Sequence, residues 1–205
     1  MQYVDEIVLR AIAKWPDVPA VYGWLRLDRR GNWLIKDDRV SNPAIAAYIG
    51  RNYAHDDSGR WYFQNGPQRV FAALDYTPFV YRITGPESGP FGIETHTGHA
   101  INTVEGAWID ENGALLLATD MGPGVVHDRD LARLLPLFID ANGTALPEDV
   151  LDELMELTQQ GRSVPLWLKL RDITLKVEPL RSSGVPARFG YVPSPVQPAG
   201  EEQCR

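Results

Sequence analysis

The sequence predicts an α+β fold. It comprises two related strand-turn-strand-helix units with antiparallel-rich twisted sheets, three to four helices and a Pro-rich C-terminal tail. Three observations lead there. Short apolar-polar alternations, the signature of half-buried strands, are interleaved with stretches of helical period. Glycine (18) and proline (16) punctuate every region, which excludes an all-helical bundle. An Asp-x-x-Gly pattern also recurs four times among matched elements. The 205 residues, 44% hydrophobic and 23% charged, bury a real core, which excludes global disorder and a disulfide-stapled miniprotein. The expected organisation is an N-terminal helical segment (1–20), a first unit (21–90), a second unit (91–177) and the tail (178–205).

The elements follow in order. Residues 3–14 predict a helix, because Val4, Ile7, Val8, Ala11, Ile12 and Trp15 recur at three- and four-residue steps, and Pro16 ends it. In residues 21–27, Val21, Leu25 and Leu27 alternate with Tyr22, Trp24 and Arg26. A second strand is expected over 32–36 after the turn at Asp28–Gly31. Asn42-Pro43 opens a helix with Ile45, Tyr48, Ile49 and Tyr53 on its buried face, a capping side chain preceding a proline suited to the first turn. Residues 61–63, 70–74 and 79–83 read as strands. The run Gly85-Pro86-Glu87-Ser88-Gly89-Pro90 is the strongest interior break and is expected as the unit boundary.

Strands at 91–94, 107–109 and 114–118 begin the second unit. His127-Asp128 is expected to cap a helix with Leu131, Leu134, Leu135 and Phe138 inward and a kink at Pro136. A further helix starts at Pro147, with Val150, Leu151, Leu154 and Leu157 buried and Gly161 as its stop. In 166–177 the alternation slips between Leu170 and Ile173. Arg171-Asp172 is poor chemistry for a tight turn, so one bulged strand is expected rather than a hairpin. The five prolines after residue 178 read as a tail without a core of its own.

The repeat pairs Asp28-x-x-Gly31 with Asp110-x-x-Gly113, each between two strands, and Asp56-x-x-Gly59 with Asp140-x-x-Gly143, each after a helix. The aspartate accepts from turn N–H groups and the glycine supplies positive φ. Duplication of one unit is the reading this favours over independent turns.

Twenty basic against 27 acidic residues give a net charge of −7, and neither Arg26–Arg30 nor Arg162–Arg171 forms an undiluted basic face. No nucleic-acid partner is expected. The single cysteine, Cys204, excludes an intramolecular disulfide and a multi-thiolate metal site. Acids at positions 5 and 6 do not fit a signal peptide, and no apolar run approaches membrane-spanning length. A cytoplasmic location, with no membrane contact, is the expectation.

Catalytic patterns are absent: there is no Gly-x-Ser-x-Gly, and residues 121–128 read as a glycine-containing connector into a helix, without a phosphate-loop lysine. His96-Thr97-Gly98-His99 has ligand-like spacing, and with Asp120 or His127 it defines an alternative reading, a metal-assisted enzyme. The leading expectation is a non-enzymatic binding protein with no cofactor. Its candidate surface is the polar-aromatic strand face made by Tyr22, Trp24, Arg26, Arg60, Tyr62, Gln64 and Arg69, since interfaces favour aromatic and arginine side chains. The partner is a protein or a small molecule, and a homo-oligomer subunit is a third reading.

The runs Leu27–Trp33, Ser41–Ile45, Gly59–Phe63, Gln68–Val70 and Thr77–Val80 resemble an uncharacterised bacterial family of unknown function, over roughly residues 22–118. Gln68-Arg69 stands where that family's pattern has an acid and a lysine. The resemblance implies a two-part α+β fold with repeated structural motifs and a link to signal transduction. It brings no catalytic residues.

Overall fold

The computed structural model describes residues 5–16, 18–86 and 89–199. They form two compact units. The first holds the chain up to Pro78, then His96–Gly98 and the segment from Gly190. The second holds Phe79–Thr95 and His99–Phe189. The division falls between Pro78 and Phe79; of the expected boundary run, Glu87 and Ser88 lie outside the described residues, and Gly85, Pro86, Gly89 and Pro90 fall in the second unit between two paired strands. The N-terminal helix belongs to the first unit rather than standing apart.

In the first unit α1 (Glu6–Lys14) precedes β1 (Val21–Leu27), β2 (Trp33–Ile35) and β3 (Asp38–Arg39). Then come α2 (Pro43–Arg51), β4 (Tyr53–His55), β5 (Trp61–Asn65) and β6 (Gln68–Leu74). The sheet order is β3-β2-β1-β6-β5-β4, antiparallel except for the parallel β1–β6 pair. The Asn42 side chain accepts from the Ala44 and Ile45 N–H groups, so the capping signal acts as expected. The helix is shorter than its apolar pattern suggested. It stops at Arg51, and Tyr53, expected on its face, is a buried strand residue. Ile45 is exposed and Ile49 buried. In α1 only Val8 is buried, while Ile7, Leu9 and Trp15 face outward.

The second unit contains β7 (Phe79–Thr84), β8 (Gly92–Thr95), β9 (Val104–Ile109), β10 (Leu115–Thr119), β11 (Gly122–Val126) and β12 (Phe138–Ile139). These are followed by α3 (Glu148–Gln159), β13 (Trp167–Leu170), β14 (Ile173–Pro179) and α4 (Val185–Phe189). Its order is β12-β13-β14-β9-β10-β11-β7-β8. Six of these strands reproduce the first sheet. β9 is antiparallel to β10 and β10 to β11, β14 runs parallel to β9, and β13 and β12 continue antiparallel. The same relations hold along β1, β2, β3, β6, β5 and β4.

The four Asp-x-x-Gly turns share one hydrogen-bond pattern. At Asp28, Asp56, Asp110 and Asp140, the carboxylate accepts from the N–H groups two and four residues on, and the main-chain carbonyl accepts from the glycine. The glycines have φ of 80°, 73°, 78° and 82°.

Three expectations in the second unit are corrected. The segment after His127 is not an α-helix but two 3-10 turns, Asp128–Arg133 and Leu135–Leu137, because Pro136 removes an N–H that a continuous helix needs. Residues 122–126 are a strand rather than a connector. Gly124 permits the Tyr81 ring to lie against the backbone, where a Cβ would collide with it. Residues 167–179 are a hairpin turning at Arg171-Asp172, with Arg171 taking φ of 50°.

The described part of the Pro-rich segment, up to residue 199, is not a free tail. Residues 173–179 form β14 inside the sheet, and Val185 is fully buried. In the first unit, the buried Tyr191 donates its hydroxyl to the Tyr76 carbonyl at 2.7 Å, and the Leu74 N–H donates to the Pro193 carbonyl.

Candidate functional site

The register of β1, β5 and β6 assigns the candidate residues to the two faces of the first sheet. Val21 pairs with Val70 and Leu25 with Ala72, so β1 carries two extra residues there. Gly23, at φ +72°, is one of them. This bulge breaks the simple alternation. Tyr22 and Arg26 share a face with Tyr62, Gln64, Arg69 and Phe71, whereas Trp24 turns toward Val21, Leu25 and Ile35. Six of the seven predicted residues are thus on or beside one face, and Trp24 is the exception.

That face is internally satisfied. Tyr22 stacks on Phe71 at 4.6 Å between ring centroids, and Tyr62 meets Phe71 edge-on. The Arg60 guanidinium covers the Phe71 ring at 4.8 Å and Arg69 covers Tyr62 at 4.7 Å. Arg60 also pairs with Asp56 at 2.7 Å, and Arg26 binds both Asp37 and Asp75. Gln64 donates to the Gly66 carbonyl. With Tyr62 8% exposed, the face offers arginine heads over buried rings rather than an open aromatic patch.

The opposite face holds the core, with α2 packed on it through Tyr48 against Phe63 and through Ile49. Where α2 leaves the sheet uncovered, a groove of about 390 Å³ opens. Val21, Leu25, Ile35, Ile49, Phe63 and Val70 line it, with Trp24 at its wall and Asn65 and Gln68 at the β5–β6 loop. Trp24 is 42% and Ile35 41% exposed, so both present apolar surface to the concavity. The Lys36 ammonium sits 3.7 Å from the Trp24 ring centroid, and the Lys36 main-chain N–H donates to the Trp24 carbonyl. Lys36 and Asp37, at φ of 48° and 68°, form the two-residue turn between β2 and β3. The sequence pattern missed this groove apart from Trp24. Gly23 inside a strand was the available signal for the bulge that creates it.

The alternative metal set is not assembled. His96 packs its ring against Trp33 at 5.2 Å in the first unit, whereas His99 belongs to the second, with its N–H on the Thr95 hydroxyl. Asp120 accepts from the Asn102 and Thr103 N–H groups and from the Asn102 amide. Burial raises its pKa, but these bonds outweigh it and hold the carboxyl below its usual range. His127 is buried, and its Nδ1 accepts from the Arg129 N–H. Burial and then Arg82 depress its pKa. Among the described residues no three His, Cys, Asp or Glu side chains gather as a metal site would require. Nor is any described helix long and apolar enough to cross a membrane.

The fold and this groove define a two-unit α+β protein with a ligand-sized apolar concavity on one sheet. The chain belongs to the DUF2944 family, described as "Protein of unknown function (DUF2946)", whose family model matches residues 4–196. A crystal structure of a DUF1285 family protein from Silicibacter pomeroyi DSS-3 is similar, with a TM-score of 0.48 and 16% identity, covering 73% of this chain and 99% of that one. Another, from Shewanella baltica OS155, has a TM-score of 0.40 and 15% identity, covering 56% and 89%. No curated protein matches the chain.

Proposed function

We propose that this chain is a non-enzymatic binding module and that the groove beside Trp24 is its ligand site. The observation that supports this reading is a half-exposed tryptophan walling an apolar concavity, at the low end of the ~300–1,000 Å³ typical of small-molecule sites. The groove suits a small apolar ligand or one apolar side chain of a protein partner. A signalling or regulatory role, which the family resemblance implied, is the use such binding would serve. Six of the originally expected contacts, Tyr22, Arg26, Arg60, Tyr62, Gln64 and Arg69, become a supporting face in this proposal.

The test is a titration with 1-octanol as a neutral apolar probe, followed through methyl NMR shifts. Ile35, Ile49, Val21 and Val70 should respond together, and Trp24→Ala should weaken the response about tenfold while leaving the unfolding midpoint nearly unchanged. Shifts scattered over both units, or none, would refute the site.

A further inference from the structure

We infer that the second unit carries a separate site for a small free α-amino acid, where the ends of β9, β14 and α3 meet. The site goes beyond the Trp24 groove and does not depend on it. A cavity of about 300 Å³ lies there, with Glu111, Gln159, Gln160, Pro179, Leu180 and Arg181 in its lining. A carboxylate and a guanidinium thus belong to the lining itself. Ser182 fixes the carboxylate, donating its N–H and hydroxyl to the two Glu111 oxygens. Those bonds keep Glu111 ionised at neutral pH. The Arg181 guanidinium stands at the end of α3, 4.0 Å from where a Cβ on Gly161 would sit. It is exposed, and among the described residues it makes no ion pair or side-chain hydrogen bond. Glu111 feels its charge, yet the two heads do not close an ion pair.

The helix adds acceptors of its own. Gly161, at φ of 81°, ends α3, and its N–H turns back to the Thr158 carbonyl. Among the described residues no group donates to the Gln159 or Gln160 carbonyl. This is the negative end of the helix dipole, which favours a cation. The lining therefore has an anionic pole, Glu111 with the helix end, and a cationic pole, Arg181. An α-amino acid brings the complementary pair, its ammonium for Glu111 and its carboxylate for Arg181. A cation alone leaves Arg181 unmatched, and an anion alone meets Glu111. Pro179 and Leu180 offer apolar contact to an aliphatic side chain. The volume, at the low end of the ~300–1,000 Å³ of small-molecule sites, restricts that side chain to a small one.

The repeat gives an independent pointer. In the first unit β4 and β5 are joined through the Asp56 turn alone, whereas the corresponding connection between β12 and β13 also holds α3. The α3 wall of the cavity has no counterpart in the first unit. Connections added to a shared scaffold are where binding residues concentrate.

Titration of the full chain at pH 7 with L-valine, followed by amide NMR shifts, tests this. The matched probes are isobutylamine, which lacks the carboxylate, and 3-methylbutanoate, which lacks the ammonium. L-Valine should bind about tenfold tighter than either, shifting Glu111, Gln160, Gly161 and Arg181 together. Arg181→Gln should erase the advantage over isobutylamine and Arg181→Lys should restore part of it, with unfolding midpoints near that of the wild type. Trp24→Ala should leave L-valine binding unchanged. Equal binding of the three probes, shifts elsewhere or none, or an advantage that survives Arg181→Gln overturns the inference. A loss of stability on Arg181→Gln, with no L-valine bound by the wild type, makes Arg181 a structural counter-charge to the α3 end and also overturns it. None of these outcomes bears on the Trp24 groove, whose own probe is 1-octanol.

Discussion

Glu111 and Ser182 are joined twice, the Ser182 N–H donating at 2.8 Å and its hydroxyl at 2.5 Å to the two carboxylate oxygens. The contact ties the turn after β9 to the chain leaving β14, next to the Leu180 N–H on the Ile109 carbonyl. Those bonds hold the Glu111 carboxyl down to about 2. A carboxyl depressed in the folded state contributes stability that is present above its unfolded pKa of ~4.3 and lost as pH falls. Wild type should therefore lose thermal stability between about pH 4.5 and 2 more steeply than Glu111→Gln. Identical pH slopes would show that this pair does not couple folding to protons.

The glycine of each Asp turn meets a different environment. At Gly143 a Cβ would enter open space, whereas at Gly59 it would run into the Gly190 carbonyl. Both have positive φ, so alanine at either position pays a left-handed penalty of about 1–2 kcal/mol. Gly59→Ala should cost a further ~1–3 kcal/mol, because the opposing atoms are backbone and cannot swing aside. Urea unfolding of the two variants reads the gap, and equal losses would mean the segment at Gly190 yields freely.

His127 behaves in the opposite sense to a paired surface histidine. Burial lowers its pKa first and Arg82 adds to this, against Asp128 and Asp130, which pull upward. The folded state therefore prefers the neutral ring, which accepts from the Arg129 N–H. The unfolded chain binds the proton more readily, so stability is full above about pH 6.5 and falls as pH drops below it. His127→Gln should flatten this part of the pH profile. A profile unchanged by the substitution would show that His127 does not titrate with folding.

Local chemistry made much of the fold legible in the sequence. Asn42-Pro43 marked its helix because the cap acts within one turn, and the Asp-x-x-Gly turns were readable because all their bonds lie within five residues. The hairpin turns at Lys36-Asp37 and Arg171-Asp172 were missed, since neither contains the glycine or asparagine that normally accepts positive φ. Strand β11 was hidden because Gly122, Pro123 and Gly124 are loop-forming by propensity, and the packing of the Tyr81 ring on Gly124 is a tertiary effect. The candidate face was largely readable from alternation, but the groove was not. It depends on the Gly23 bulge and on where α2 stops covering the sheet, both set by tertiary packing.

Asp110 and Asp140 hold the same turn in unequal surroundings. Asp110 is fully buried, while the Asp140 side chain stays near solvent. At Asp110 the carboxylate accepts from the Asn112 and Ala114 N–H groups at 2.8 and 2.9 Å. Truncation to alanine removes the buried acceptor from both donors; Asn112 is open to water, so the cost falls mainly on the half-buried Ala114 N–H, at about 1–3 kcal/mol. At Asp140 water can replace the carboxylate, so the loss should be small. Asp110→Ala should therefore lower stability by roughly 1–3 kcal/mol, clearly more than Asp140→Ala. Urea titrations followed by far-ultraviolet dichroism provide the comparison. If the two variants are equally destabilised, the turns contribute through local geometry alone, and burial of the Asp110 carboxylate adds nothing to the fold.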